Sequence, residues 1–426
     1  GALALMLVLC TVALALQSVS VSNSWSSLGL NDALTKCVTS GLNLRGPLEV
    51  QQLAWPVISS GCDAVVVSEA GSGKTLAYLL PILQLLLDPP DPSRASRAVI
   101  AVPSTDLASQ VLGVAQQLTE GTSLVASAPT TSGSDVIVGT IPECLAYVCQ
   151  PKGKKRAADS SSTLTRLVVD EADILLAGLR KKGRASTGQP VMKILGEVKH
   201  ARKQAEKAIS KRNLSVKKTA EALDRERIFQ LILVSATVPS QGDASVGALV
   251  NELFPSIKWI RSSGAHRPVP QLTSSFITVA GDEERQDELI KLVRNPSNRT
   301  LVFANSAARA NHVAKFLRAE GLTVGIYQPE LSPGHRAAAV EIFNRTPKGV
   351  LVCSGLAARG LDFSPVGLVV QYQLAPHMVE YMHRVGRTAR AGRPGAAVAL
   401  VTEHSAPEIA LMQEVQRCIR GSWKYV

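Results

Sequence analysis

Short apolar runs, rich in β-branched residues, recur along this chain with helical stretches between them. In the first half they are Ala64–Val67, Ala98–Val102, Val136–Val138, Leu167–Val169 and Leu231–Val234. A second series follows: Phe276–Val279, Leu301–Phe303, Val324–Tyr327, Val350–Val352, Leu368–Gln371 and Ala397–Val401. A strand that is apolar at consecutive positions must be covered on both faces. Helices between such strands supply that cover, so the pattern predicts α/β architecture with parallel sheets. Two series of this length predict two domains in tandem. Between them SSGAHRPVPQ, residues 262–271, combines Gly, two prolines and small polar residues and reads as a linker. The expected units are therefore 24–261 and 272–426.

With 46% hydrophobic residues, the 426-residue chain has ample material for two cores. Only 4% is aromatic, which argues against a surface built mainly from base-stacking rings. The net charge is +12, which raises the expectation of a polyanionic partner, nucleic acid first. Most of that excess can be assigned to 180–227, where 15 Lys and Arg face 5 Asp and Glu. Its Ala/Lys/Glu-rich centre predicts a helix with a thin apolar stripe, hence one not deeply buried. A solvated charged face, docking on structured RNA and a protein partner are the three readings of this basic insertion. Lys152-Gly153-Lys154-Lys155-Arg156 forms a second basic cluster. The seven cysteines are scattered and form no CxxC pair, so neither a disulfide framework nor a zinc ribbon is expected.

Residues 1–23 begin with GALALMLVLCTVALALQ, which carries no charge. The run is short of the about 20 residues that a membrane span needs. It is similar to the apolar core of a targeting segment, with a stray apolar extension and a membrane anchor as alternatives. No stable membrane association is expected.

The chemistry gathers at two strand ends. After Ala64–Val67 comes Ser68-Glu69-Ala70-Gly71-Ser72-Gly73-Lys74-Thr75, followed by leucines and Tyr78 at helical spacing. Strand, glycine loop, helix is the setting of a phosphate-binding loop, whose backbone N–H groups and helix N-terminus favour an anion. Lys74 would neutralise the β and γ phosphates and Thr75 would ligate Mg²⁺. The strict pattern, GxxxxGK followed by Ser or Thr, wants Gly where Ser68 stands. The competing reading is a glycine-rich turn with a surface lysine. At the second strand end, Val168-Val169 lead into Asp170-Glu171. In open parallel sheets ligands bind at that edge. Asp170 can hold Mg²⁺, and Glu171 can polarise an attacking water. An acidic helix cap is the alternative for Asp170 or Asp173.

Asp170-Glu171-Ala172-Asp173 resembles the signature tetrapeptide of the DEAD-box RNA helicases of superfamily 2. Ser235-Ala236-Thr237, LVFANS at 301–306, ARGLD at 358–362 and HRVGRTARAGR at 383–393 follow in that family's order. The resemblance runs from about Trp25 to the C-terminus. It implies two tandem RecA-like domains, with ATP and RNA held at the cleft between them. It implies that Gln51 reads the adenine edge, that Trp25 is the isolated aromatic upstream of it, and that residues 68–75 hold the phosphates. Asp362 would meet the ribose. Ser235 and Thr237 would bond to Asp173 and, with His383 and Arg384, couple hydrolysis to closure. Arg387 and Arg390 would be arginine fingers, each such finger being worth about 10³–10⁵ in rate. Pro103, Ser104, Gly139, Thr140, Arg359 and Gly360 fall on positions that the family uses on the RNA strand.

The departures from the family pattern concentrate on the RNA side. Thr105 takes an arginine's place in PSTDLA, and Glu143 takes another in GTIPE, a charge reversal. Ser354-Gly355 replaces Thr-Asp, Gln328-Pro329 replaces His-Gly, Leu48 a threonine, and Asn43-Leu44 a glycine and an aromatic. Lost cationic contacts weaken strand binding and flatten its salt dependence. Backbone N–H contacts survive side-chain change, so altered rather than abolished RNA binding is expected. The resemblance implies an ATP-dependent RNA helicase that uses ATP and Mg²⁺ and acts as a monomer on structured or ribosomal RNA. An ATP-gated RNA clamp with little unwinding and a DNA helicase of the same superfamily are the alternatives. The leader and short core resemble organellar members that assist ribosome assembly, plastid ahead of mitochondrion and nucleolus.

Overall fold

A computed structural model describes residues 24–419 apart from 70, 89–96, 132, 149–163, 177–179, 182–183, 186–188, 211–228, 238–245, 264–270, 295–298, 355–362, 364 and 391–392. The leader and the Lys152–Arg156 cluster therefore lie outside the described residues, as do Ala70, Gly355, Arg359, Gly360 and Asp362.

The first unit opens with a short 3₁₀ turn at Trp25–Leu28, helix α1 (Asp32–Lys36), a π turn and helix α2 (Glu49–Ser59). It continues through β1 (Ala64–Val67), α3 (Lys74–Leu87), β2 (Arg97–Val102), α4 (Thr105–Thr119), β3 (Ala126–Ser127) and β4 (Val136–Thr140). Next come α5 (Ile141–Val148), β5 (Leu164–Val169), α6 (Ala172–Leu176), and the small antiparallel pair β6 (Arg180–Lys181) and β7 (Arg184–Ala185). The unit closes with α7 (Pro190–Ser210), β8 (Gln230–Ser235), α8 (Val246–Leu253) and β9 (Lys258–Arg261). Seven of its strands form one parallel sheet in the order β3-β4-β2-β5-β8-β1-β9.

The second unit runs β10 (Leu272–Val279), α9 (Asp282–Val293), β11 (Arg299–Ala304), α10 (Ala307–Ala319), β12 (Val324–Tyr327) and α11 (Pro333–Arg345). It ends with β13 (Val350–Ser354), β14 (Val366–Gln371), α12 (Met378–Val385), β15 (Gly395–Thr402) and α13 (Ala406–Ile419). Its parallel sheet has the order β10-β15-β14-β11-β13-β12.

The consecutive apolar residues do what two-sided burial demands. Successive side chains of a strand point to opposite faces. Ala64, Val66, Ala98, Ile100, Val168, Ile232 and Val234 face a core built with α2, α3 and α4. Val65, Val67, Val99, Ala101, Leu167, Val169, Leu231 and Leu233 face a second core with α5, α6, α7 and α8. Full burial of each Val, Leu or Ile side chain contributes about 1.5–3 kcal/mol, so both faces hold the sheet. Helix starts are set locally: Ser104, Ser306 and Ser332 cap α4, α10 and α11, their hydroxyls accepting from Leu107, Arg309 and His335 N–H.

Each apolar run of the sequence lies in a strand, often extended by one to four residues. The N-terminal half of β10, Leu272–Ser275, is mostly polar and alternates half-buried with exposed because it is an edge strand paired only to β15. Edge strand β9, KWIR, was hidden by its charged ends for the same reason. The basic insertion is anchored ahead of its Lys-rich centre, much of which lies outside the described residues: Val191, Ile194, Leu195 and Val198 of helix α7 are buried in the second core. Their spacing of three and four residues makes one full apolar stripe ahead of the lysine-rich end.

Candidate nucleotide site and interdomain cleft

The phosphate loop leaves β1 where Ser68 N–H donates to the Ser235 carbonyl at the end of neighbouring β8. Gly71 and Gly73 have φ of +79° and +84°, which side-chain-bearing residues rarely adopt. Space also demands glycine, because a Cβ on Gly73 would lie 2.4 Å from Gln51 Nε2. Ser68, the departure from the strict loop pattern, is fully buried. It accepts from Ser262 Oγ at 2.7 Å and donates to Glu69 Oε2 at 3.0 Å, tying the loop to the residue after β9. Lys74 Nζ donates to the Ser68 and Glu69 carbonyls at 2.9 and 2.8 Å. Desolvation lowers its pKa, opposed by Glu171, Asp170, Asp173 and Glu69.

Gln51 is buried against this loop. Its Oε1 accepts from Leu48 N–H at 2.7 Å and its Nε2 donates to the Gly73 carbonyl at 3.2 Å. The Trp25 ring is buried in the first core and its Nε1–H donates to the Leu44 carbonyl at 3.0 Å, so it braces the segment ahead of Gln51.

At the tip of β5, Asp170 Oδ1 accepts from Glu171 N–H at 2.8 Å and Oδ2 accepts from Tyr78 Oη at 3.0 Å. Burial and the Glu171 charge push the Asp170 carboxyl up to about 7. A divalent cation at this oxygen pair would offset both effects. Tyr78, pushed well above its ordinary value by burial and Asp170, also hydrogen-bonds Thr75 and joins the two expected metal ligands. Glu171 sits at φ +51°, a left-handed conformation uncommon for a residue with a side chain. Glu171 Oε2 and Ser72 Oγ are buried with no hydrogen-bond partner among the described residues. Such orphaned groups mark a place where a phosphate oxygen or an attacking water belongs. The residues present therefore fit a nucleoside triphosphate with its metal.

The second unit meets this site directly. Asp173 Oδ2 accepts from Thr237 Oγ1 at 2.6 Å and lies 3.0 Å from His383 Nε2. Burial works against its ionisation, but the charge and hydrogen bond of His383 outweigh it. With further hydrogen bonds from Thr237 and Ser235 they hold Asp173 down at about 2. Ser235 Oγ also fixes the turn, donating to the Thr237 carbonyl and accepting from its N–H. His383 Nδ1 faces Glu171 Oε2 at 3.7 Å. Arg390 Cγ lies 3.3 Å from the Cβ position of Gly71, so this side chain abuts the phosphate loop. The Nε of Arg387 and of Arg390 donate to the His383 and Gly386 carbonyls, and left-handed Ala389, φ +55°, separates the two arginines. Arg384 Nη2 donates to Glu380 Oε1 and Asn305 Oδ1, both at 2.7 Å, and its Nη1 donates to the Gln373 carbonyl at 2.9 Å, contacts that brace α12 within the second unit.

At the positions expected to meet the RNA strand, Ser104 spends its hydroxyl capping α4 behind Pro103. Beside it, Arg336 Nε donates to Asp106 Oδ2 at 2.9 Å, its Nη2 donates to Thr105 Oγ1 at 3.3 Å, and Tyr327 also donates to Asp106. Gly139 is walled by Pro129, 2.6 Å from where a Cβ would stand. The Thr140 donors are engaged within their own β4–α5 junction. Its N–H and its hydroxyl both donate to Glu143 Oε2, at 2.8 and 2.7 Å. Tyr78, Asp106, Tyr327 and Arg336 were missed from sequence. Tyr78 alone had a local signal, a polar tip on an otherwise apolar helix face one turn after Lys74.

Comparison with known proteins agrees with this geometry. A family model described as DEAD/DEAH box helicase matches residues 48–244, and one described as helicase conserved C-terminal domain matches 284–392. Among curated relatives, DEAD-box ATP-dependent RNA helicase 22 of Oryza sativa is 28% identical over 456 residues, covering 90% of this chain and 78% of its own. The ATP-dependent rRNA helicase RRP3 of Gibberella zeae is 29% identical over 396 residues, covering 89% and 71%. Among solved structures, S. cerevisiae Dbp5 bound to RNA and ADP BeF3 superposes with a TM-score of 0.71 at 24% identity, over 95% of each chain. The tandem parallel sheets are thus those of that fold. With the two matches together spanning more than half its length, the chain belongs to the DEAD-box ATP-dependent RNA helicases.

Proposed function

We propose that this chain couples ATP binding and hydrolysis to local separation of RNA duplexes or remodelling of RNA–protein assemblies, with ribosomal RNA the favoured substrate. One observation carries the coupling: Asp173, at the start of α6 just after Asp170 and Glu171, meets His383 of the second unit at 3.0 Å. Hydrolysis and interdomain contact therefore share a side-chain pair. The units are taken as 24–261 and 272–426. When bound, ATP supplies the bond that is cleaved and Mg²⁺ the charge that draws its phosphates together. Lys74 and the loop amides hold phosphate oxygens, Thr75 and Asp170 ligate the metal, and Tyr78 fixes the orientation of Asp170. Glu171 takes the proton of the attacking water through its unpartnered Oε2. Arg387 and Arg390 neutralise developing charge only while the units are closed. A compartment within an organelle is the proposal that the apolar leader supports.

The test is steady-state ATP hydrolysis by the full chain with single-stranded RNA, with DNA of equal length, and with neither, beside Glu171→Gln. RNA should raise turnover above DNA, and the variant should lose about 10²–10⁴ of it. Equal stimulation by DNA, or a variant as active as the parent, sinks the proposal. A clamp with little unwinding is the second reading, favoured by the Glu143 cap on Thr140. It predicts ATP-dependent RNA retention with turnover near that of Glu171→Gln.

A further inference from the structure

Helix α7 carries more than an apolar stripe. Past Val198 its buried side continues into Arg202, whose Nη2 donates to Asp63 Oδ1 at 2.6 Å and to the Phe229 carbonyl at 2.7 Å. The Arg202 guanidinium and the Lys199 ammonium also lie 5.8 and 5.3 Å from the ring centre of Phe254. Asp63 precedes β1 and Phe229 precedes β8, so this end of α7 is pinned to the N-terminal edge of the sheet. The phosphate loop and Asp170 lie at the opposite edge. Along β1 alone that separates Asp63 from Ser68 by about 17 Å.

Cations gather at that pinned corner from two distant parts of the chain. Lys193, Lys199 and Lys203 are exposed on α7. Lys258 is exposed at the start of β9, and its N–H donates to the Asp63 carbonyl. Asp63, the acid at the centre, is consumed by Arg202 and the Leu231 N–H. Among the described residues, Glu197 and Glu252 are the exposed acids on the flanking helices. The corner keeps a positive excess on a rigid support, which is what a phosphate backbone selects.

We infer that this corner is a second RNA-binding surface, which holds the phosphate backbone of a structured RNA while another part of the same molecule occupies the cleft. The inference rests on the reading above that the chain acts on RNA. Every anchor of α7 named here lies in the first unit, so the surface binds RNA without reference to nucleotide state or closure. It contributes affinity without base readout.

The test uses the full chain carrying Lys199→Glu, Lys203→Glu and Lys258→Glu together, with the matching triple arginine variant as control. The probe is a fluorescently labelled hairpin RNA with a single-stranded tail, titrated without nucleotide over a range of salt. The acidic variant should bind the hairpin at least about tenfold more weakly at low salt, with a log–log salt slope smaller by about 2–3. The arginine variant should keep both. In ATP hydrolysis the acidic variant should raise the KM for hairpin RNA and leave the RNA-saturated kcat within about twofold. Unchanged hairpin affinity and slope overturn the inference and leave the corner to an acidic protein. The binding arm needs no turnover. A parent chain whose hydrolysis ignores RNA therefore counts against the proposed function, while the salt slopes still decide the surface.

Discussion

Asp106 of the first unit accepts a hydrogen bond from Arg336 Nε of the second at 2.9 Å. The pair is mostly shielded from solvent and raises the already high pKa of Arg336. Tyr327 donates to the same carboxylate, so two second-unit donors converge on one first-unit acid. Asp106→Ala and Arg336→Ala should each lower RNA-stimulated turnover without weakening ATP binding. The double variant should be no worse than the poorer single, with a coupling of about 0.5–3 kcal/mol. Additive losses in the double-mutant cycle argue that the pair does not serve closure.

Glu143 blocks the donors of Thr140. Glu143→Gln keeps the length of the side chain and removes its charge. The Thr140 hydroxyl and N–H are then released more readily to a phosphate oxygen, a charge-assisted bond worth about 1.5–3 kcal/mol. RNA affinity should rise by about tenfold or more, read by anisotropy with a single-stranded oligonucleotide. A variant that binds no tighter shows that Thr140 does not touch the strand.

Tyr78 holds Asp170 from within the first core. Tyr78→Phe keeps the ring packing and removes the hydroxyl. Thermal stability should change by about 1 kcal/mol, while the Mg²⁺ concentration for half-maximal turnover should rise several-fold. Lost activity that saturating Mg²⁺ fails to restore contradicts a positioning role.

The Asp173 carboxyl is held at about 2 against an ordinary 3.8 by His383, Thr237 and Ser235, in spite of its burial. A carboxyl with a depressed pKa binds protons less readily folded than unfolded. Its stabilisation is complete above pH 3.8 and disappears as pH falls through about 2. The shift corresponds to a contribution on the order of 2 kcal/mol. Asp173→Asn should therefore unfold at lower urea than the parent at pH 7, with the gap closing in acid below pH 3. A gap that persists there assigns the loss to packing.

The phosphate loop, the acidic strand end and the arginine segment were legible because each is a continuous string whose chemistry depends on neighbours in sequence. So were the two sheets, since a strand buried on both faces announces itself by composition. What escaped had a different physical origin. Tyr327 and Arg336 owe their importance to Asp106, more than 200 positions away, and no local pattern encodes that meeting. The contacts that brace Trp25 and Arg384, to the Leu44 carbonyl and to Glu380, likewise depend on packing that no motif encodes. Helix α7 was judged by its lysine-rich centre, while its anchoring stripe begins earlier, at Val191.

The bond from Arg202 to Asp63 joins α7 to the same rigid body that carries the phosphate loop. RNA gripped at that corner is a passenger of one half of the machine only. If the other half swings away after each round of hydrolysis, the cleft would release its strand while the inferred corner keeps the RNA from diffusing off. The released strand meets the reopened cleft at the high local concentration of a tethered ligand, in the millimolar range for short tethers. Successive rounds are then spent on a single RNA, and an enzyme that melts only a few pairs at a time can still work through an extended structure.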